Sequence, residues 1–86
     1  MEINIPYKRE YNIKGTGNIV DFIVDNKIVI ELKAKRIIER QDYYQTQTYL
    51  QALGMRIALL VNFRNKYLKP VRVVRIEKSA KERLVG

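Results

Sequence analysis

Residues 18–34, NIVDFIVDNKIVIELKA, contain the pattern that decides the fold. Two runs rich in branched apolar residues, 18–24 and 28–34, lie on either side of the polar segment 25–27. Short branched runs separated by two or three turn-forming residues are typical of a β-hairpin. The stretch therefore predicts two antiparallel strands, from which the rest of the chain can be placed.

The two apolar runs of the hairpin carry three charged residues, Asp21, Glu31 and Lys33. Burying an unpaired ion costs several kcal/mol, so these charges need partners or a function. Glu31 and Lys33 are two residues apart and share one face of their strand. A two-residue loop would set Asp21 opposite Ile30 and on the wrong face, whereas a three-residue loop, Asp25–Lys27, would set it opposite Glu31.

Two facing carboxylates repel each other, and the repulsion is relieved by a proton or by a divalent cation. We expect Asp21 and Glu31 to bind Mg²⁺ or Mn²⁺, with the Leu32 backbone carbonyl as a further candidate ligand. Lys33 would then orient or help deprotonate an attacking water and offset charge on a phosphate. The alternative is that Glu31 and Lys33 form only a surface ion pair, which is worth under about 1 kcal/mol.

Length and composition limit the chemistry. The chain has 86 residues without a break in composition, which predicts one domain covering residues 1–86. It contains no His or Cys and a single serine, Ser79, which excludes Ser-His-acid catalysis and zinc sites built from His or Cys. Its longest apolar run, Ile57 to Val61, is far shorter than a membrane helix. We expect a soluble, cytoplasmic protein.

The net charge is +8, and residues 64–86 hold eight Lys and Arg residues against two acids. A polyanion is the natural partner of such a segment, although a solvated basic edge is the alternative. We expect nucleic acid, DNA rather than RNA. The residues proposed to contact it are Lys35, Arg36, Tyr49, Arg64, Lys66 and Lys69. For Tyr49, a place in the core is the alternative to stacking on a base.

The remaining segments predict an α/β order. Residues 2–12, with Pro6 inside, predict an edge strand, and Gly15 and Gly17 a turn. The later predicted elements are a helix over 39–53 ending at Gly54, a strand over 55–63 covered on both faces, an edge strand over 71–76 and a short basic helix over 77–84. A right-handed crossover would place the 55–63 strand parallel to the 28–34 strand.

The predicted helix has an apolar stripe formed by Tyr43, Thr46, Tyr49, Leu50 and Leu53. Gln45 lies 40° from Tyr49 at the margin of this stripe, at about 100° per residue. It can therefore reach over the carboxylate face of the sheet toward a phosphate or Lys33. We include Gln45 among the candidate catalytic residues.

An Asp on a hairpin, Glu-x-Lys ten residues later and a helix with Gln-x-x-x-Tyr resemble the PD-(D/E)xK phosphodiesterase superfamily. The segments IVDFIVDNKIVIELKA, QTQTYLQALG and IALLVNF are similar to the GxxExxY branch of that superfamily. The resemblance spans roughly residues 3–76. It implies a restriction-endonuclease-like fold with a mixed β-sheet: a three-stranded meander, a crossover helix, a parallel strand and an edge strand. It also implies a metal-dependent nuclease with Asp21, Glu31 and Lys33 in the active site, and Gln45 and Tyr49 as the helix motif.

The sequence departs from this branch in two ways. The Gly-x-x-Glu-x-x-Tyr helix that precedes the first strand in relatives has no counterpart here, and Asp42 stands where a His is expected. We therefore expect a fold truncated at the N-terminus, with apolar sheet surface that a second copy or another protein covers. A catalytically inactive nucleic-acid-binding or interaction module is the alternative to a working nuclease.

Overall fold

The fold is built on a five-stranded mixed β-sheet. A computed structural model describes residues 4–64 and 68–77. Its elements are β1 Tyr7–Asn12, β2 Ile19–Val24, β3 Ile28–Lys33, α1 Arg40–Leu53, β4 Ile57–Asn62 and β5 Val71–Val74. The strands follow chain order across the sheet, and only β3 and β4 are parallel. This confirms the predicted α/β meander, crossover helix, parallel strand and edge strand.

Element boundaries differ from the predictions at several ends. The first strand begins after Pro6, because a proline lacks the N–H that a ladder needs. β4 occupies residues 57–62 of the predicted 55–63. The basic helix predicted over 77–84 lies outside the described residues except for Glu77. In the described part of the chain, no helix is long and apolar enough to cross a membrane.

The β2–β3 turn sets the register of the hairpin. Asp25 and Asn26 have φ angles of 54° and 51°, and the Lys27 N–H donates to the Val24 carbonyl at 3.0 Å. Asp and Asn tolerate this left-handed conformation better than most residues. One extra residue, Lys27, follows before the ladder begins with Val24 opposite Ile28. The three-residue loop is therefore confirmed, and with it the register that sets position 21 opposite position 31.

Helix α1 has well-formed ends. Glu39 is the N-cap, and its N–H donates to the carboxylate of Asp42, the third helical residue, at 2.8 Å, as in a capping box. Gly54 terminates the helix with φ 68°, as expected for a left-handed C-terminal glycine. The buried face is Asp42, Thr46, Tyr49 and Leu50, so the predicted stripe is rotated toward Asp42. Tyr43 is at the margin, 36% exposed.

The core lies between α1 and one face of the sheet. Its buried sheet residues include Val29, Ala58, Leu60 and Val73, and Leu50 covers them from the helix. The opposite side, here called the outer face, is formed by side chains that the register places together: Phe22, Val24, Ile28, Ile30, Leu32, Ile57, Leu59, Val61 and Val74. These residues are half-buried or exposed. Within the single chain, β4 is therefore buried on the α1 side and only half-buried on the outer face, whereas cover on both faces was expected.

Candidate functional site

The candidate site lies where β2 and β3 stop pairing through their backbones. The last backbone pair is Phe22 with Ile30, and the same register sets Asp21 opposite Glu31. The Asp21 N–H donates to Glu31 Oε1 at 3.1 Å, and the Leu32 N–H donates to Asp21 Oδ2 at 2.8 Å. Each carboxylate therefore accepts a backbone hydrogen bond from the opposite strand. This exchange holds the two carboxylates side by side and leaves further oxygen lone pairs available.

Glu31 is the more strongly perturbed of the two acids. Glu31 is 6% exposed, and burial raises the pKa of its carboxyl group from 4.5 to about 7. The negative charge of Asp21 acts in the same direction, whereas the Asp21 N–H and the Lys33 ammonium oppose it. Near neutral pH the pair can therefore take up either a proton or a cation.

Lys33 and Gln45 meet over this part of the sheet. Lys33 Nζ donates a hydrogen bond to Gln45 Oε1 at 3.0 Å. The lysine comes from the end of β3 and the glutamine from α1, so the crossover connection brings them together. The contact that helical geometry predicted is present. The Lys33 side chain as a whole is 18% exposed, and its hydrogen bond to Gln45 lies at the surface of the protein.

Asp42 is a buried member of the site to which the sequence analysis assigned no role. Its carboxylate accepts two hydrogen bonds from Lys35 Nζ, at 3.1 and 2.9 Å, and one from the Glu39 N–H at 2.8 Å. Lys33 Nζ lies 3.8 Å from Asp42 Oδ1. Burial alone would raise the pKa of Asp42, but the Glu39 N–H and the two lysines outweigh it and the pKa is lowered. The bond to Asp42 correspondingly raises the pKa of Lys35.

Asn62 is a second residue that the sequence analysis did not select. Its amide brackets the backbone of Lys35: the Lys35 N–H donates to Oδ1 at 3.1 Å, and Nδ2 donates to the Lys35 carbonyl at 2.6 Å. The residue is buried and lies beside Lys33 in the parallel ladder. A polar side chain ending an otherwise apolar strand was the available signal. Asn62 fixes the backbone of the loop that follows β3.

Tyr49 packs in the core next to the site. It is 6% exposed, and burial followed by the charges of Glu31 and Asp21 raises its pKa. A ring with so little free surface has no open face on which a base can stack. The position of Tyr49 therefore favours the packing alternative over direct contact with nucleic acid.

Several predicted basic contacts lie on the rim of the site. Lys35, Arg36 and Arg64 line a cavity of about 460 Å³ together with Ile37 and Glu39. Arg36 and Arg64 are exposed, whereas Lys35 is occupied by ion pairs with Asp42 and Glu39. Lys69 is also exposed, and Lys66 lies outside the described residues. Arg36 and Arg64 are therefore exposed at this rim, where a polyanion can reach them.

The donor set suits a hard divalent cation, which prefers oxygen ligands. Asp21 and Glu31 supply carboxylate oxygens. The hydrogen bond from the Leu32 N–H to Asp21 keeps Leu32, whose carbonyl is the third predicted ligand, next to this pair. Within residues 4–64 and 68–77, no group of three or more acidic, His or Cys side chains is placed to bind a metal. An ion held here would depend on water and substrate oxygens for its remaining ligands.

Comparison with known proteins identifies the family of the chain. A family model described as the PD-(D/E)XK nuclease superfamily matches residues 1–76. No curated protein and no solved structure matches the chain. The family match spans most of the 86 residues and includes the hairpin, the Glu-x-Lys segment and the helix. The chain therefore belongs to the PD-(D/E)XK nuclease superfamily.

Proposed function

We propose that this protein is a metal-dependent nuclease that hydrolyses phosphodiester bonds of nucleic acid, DNA in preference to RNA. The observation that carries the proposal is the paired exchange of hydrogen bonds between Asp21 and Glu31, with Lys33 following on β3. Nucleases of this superfamily generally use divalent metal ions. Within the superfamily we favour the GxxExxY branch, on the sequence phrases shared with it.

The residues of the site divide the work as follows. Asp21 and Glu31 would hold Mg²⁺ or Mn²⁺, with the Leu32 carbonyl as a third protein ligand. When bound, such an ion supplies Lewis-acid polarisation of the phosphate and lowers the pKa of a coordinated water. Lys33 places a positive charge where negative charge develops on the phosphate and the attacking water. Gln45 holds the Lys33 ammonium in position through its side-chain oxygen.

The test is a cleavage assay with labelled single-stranded, duplex and branched DNA and RNA in Mn²⁺ or Mg²⁺. Cleavage by purified protein that is lost on chelation with EDTA would support the proposal. Protein that binds Mn²⁺ and nucleic acid but leaves every substrate intact would favour the inactive binding module.

A nucleic-acid-binding role without catalysis is the second candidate, favoured by the exposed cations at the rim. Arg64→Ala should weaken binding to a DNA oligonucleotide and reduce the salt slope by about one, because each neutralised phosphate contributes roughly −0.9 to that slope. Arg56→Ala is the matched control. Arg56 precedes β4 and Arg64 follows it, so they flank opposite ends of one strand that is roughly 20 Å long.

Both variants are measured by fluorescence anisotropy across a series of salt concentrations, without metal. Equal effects of Arg56→Ala and Arg64→Ala would show that binding depends on the net charge of the protein and not on an arginine at the rim. Binding that does not depend on salt would remove a phosphate-contact role for the rim.

We further propose that the outer face is covered by a second copy or by another protein. From strand spacing and rise, its footprint is roughly 400 Å², comparable to the largest apolar patch on a typical monomer, which is often functional. Leu59 lies in its middle row, between Ile30 and Arg72 in the register. Leu59→Glu should raise the dissociation constant of a homodimer at least about 30-fold, because it would bury an unpaired carboxylate.

Light scattering over a range of protein concentrations measures this effect. Thr48→Glu, on the exposed side of α1, is the control that adds the same charge elsewhere. A wild-type protein that stays monomeric throughout would contradict the second-copy form of the proposal.

A further inference from the structure

Asp42 divides its contacts unequally between two lysines. Lys35 makes direct hydrogen bonds to both carboxylate oxygens, the shorter at 2.9 Å. Lys33 Nζ approaches Asp42 Oδ1 only to 3.8 Å, and the hydrogen bond it makes at 3.0 Å is donated to Gln45 Oε1. The Asp42 side chain is 8% exposed and that of Lys33 is 18% exposed. Asp42 therefore forms direct hydrogen bonds with Lys35 but only a longer contact with Lys33.

We propose that Lys35 is a positioning residue that satisfies Asp42 and thereby keeps the Lys33 ammonium available to the Asp21–Glu31 centre. The inference rests on the proposed function, since it gives Lys33 a task in the reaction. Lys35 acts through Asp42 and needs no contact with the substrate.

The physical reason is the cost of leaving Asp42 without its main cation. A buried ionised carboxylate that loses its partner is strongly destabilised, and an approaching positive charge relieves the cost. Without the Lys35 ammonium, Lys33 is the nearest remaining cation in the described structure that faces Asp42. Closing the gap from 3.8 Å to hydrogen-bond distance would move the Lys33 ammonium by about 1 Å toward Asp42, away from the position in which its charge acts on Glu31.

The position of Lys35 does not depend on Asp42 alone. The Asn62 amide hydrogen-bonds both the N–H and the carbonyl of Lys35, at 3.1 and 2.6 Å. Glu39 gives the ammonium a second, more exposed partner at 3.2 Å. The loop therefore presents a cation to Asp42 from a fixed backbone, so Lys35 can be replaced without removing the bracket that holds the loop.

The activity test uses Lys35→Met, Lys35→Arg and the double variant Lys35→Met/Asp42→Asn. Lys35→Met should lower kcat by roughly 30- to 100-fold with KM nearly unchanged, since misplacing a reacting group by about 1 Å can cost about 100-fold. Lys35→Arg should stay within about threefold of wild type, because guanidinium pairs well with carboxylate. The double variant should recover most of the lost kcat, because a neutral amide at position 42 no longer attracts Lys33 yet still accepts the Glu39 N–H.

Recovery in the double variant separates this role from others. A Lys35 that contacts phosphate would raise KM, and neutralising Asp42 would not restore it. A double variant no more active than Lys35→Met, with both proteins folded by circular dichroism, would overturn the proposal. Unchanged kcat in Lys35→Met would overturn it as well.

A second readout needs neither metal nor turnover. In metal-free protein with ¹⁵N-labelled lysines, the Lys33 ammonium signal, assigned by its loss in Lys33→Arg, should shift in Lys35→Met and become protected from exchange. It should return toward its original position in the double variant. A Lys33 signal that is the same in wild type and Lys35→Met would overturn the proposal. If the wild-type protein cleaves nothing, this spectrum still decides the inference, and the failure counts against the proposed function alone.

Discussion

Asp21→Asn and Lys33→Ala should each lower metal-dependent cleavage of nucleic acid by at least roughly 100-fold. Asp21→Asn removes one carboxylate charge from the pair that would hold the metal, while its amide oxygen can still accept the Leu32 N–H. Lys33→Ala removes the positive charge that would stabilise the reacting phosphate. Loss of a single preorganised electrostatic group of this kind typically costs about 100- to 1,000-fold in rate. Initial rates on the best substrate from the cleavage assay measure the effect.

The hairpin offers matched controls for both changes. Asp25→Asn makes the same substitution at the turn, where the residue is exposed and Asn tolerates the left-handed φ. Lys27→Ala removes an exposed ammonium from the same turn. Both controls should cleave within about twofold of wild type. Cleavage that persists unchanged in Asp21→Asn and Lys33→Ala would identify a contaminating nuclease and refute the proposed site.

Glu31→Gln should stabilise the metal-free protein above neutral pH by up to about 3 kcal/mol. Burial raises the pKa of Glu31 from 4.5 to about 7, so the folded state holds the proton more tightly than the unfolded chain. Each pH unit between the two values is worth about 1.4 kcal/mol. The free energy of unfolding of the wild type should therefore fall as pH rises from about 4.5 to about 7 and then level off, with respect to this group.

Urea denaturation between about pH 4.5 and about pH 8.5, in EDTA, gives this profile. Glu31→Gln should flatten it, since the amide has no proton to lose. Glu77→Gln, at an exposed carboxylate, should leave the wild-type slope in place. Parallel profiles for wild type and Glu31→Gln would show that burial of Glu31 carries no such cost.

Mn²⁺ should offset the loss of stability that ionised Glu31 causes in the wild-type protein. A cation binds the deprotonated pair, so the shift in melting temperature caused by Mn²⁺ should be larger at about pH 8 than at about pH 5.5. Glu31→Gln should lose most of that shift. An equal shift in Glu31→Gln would place the bound metal elsewhere on the protein.

The hairpin shows how far local reasoning reaches. Parity along β3 was enough to put Glu31 and Lys33 on one face, because successive side chains alternate in any strand. Asp21 could be added only under a condition on the turn, since two loop lengths were both compatible with the residues 25–27. The observed left-handed pair followed by Lys27 meets that condition.

The contacts of Asp42 and Asn62 were beyond local reasoning. Asp42 caps its own helix, which the spacing from Glu39 could have suggested. Its ion pairs, however, reach back to Lys33 at the end of β3 and to Lys35 in the loop that follows. Asn62 bonds to Lys35, 27 residues earlier in the chain. Such contacts depend on how α1 and β4 pack against β3 and the loop that follows it. The periodicity of the sequence does not specify this packing.

The NIVDFIVDNKIVIELKA segment by itself determined the hairpin and the three charged residues in its strands, because strand propensity, turn residues and side-chain alternation are local properties. Only the tertiary structure decided that the turn has three residues and that the Asp21 and Glu31 carboxylates each accept a backbone N–H from the opposite strand. It also decided that Lys33 donates a hydrogen bond to Gln45 while lying 3.8 Å from Asp42. It also left the outer face half-exposed, although the apolar sequence of β4 suggested cover on both sides. The physical reason is that these contacts join residues far apart in the chain. Their positions depend on how the helix and all the strands pack together.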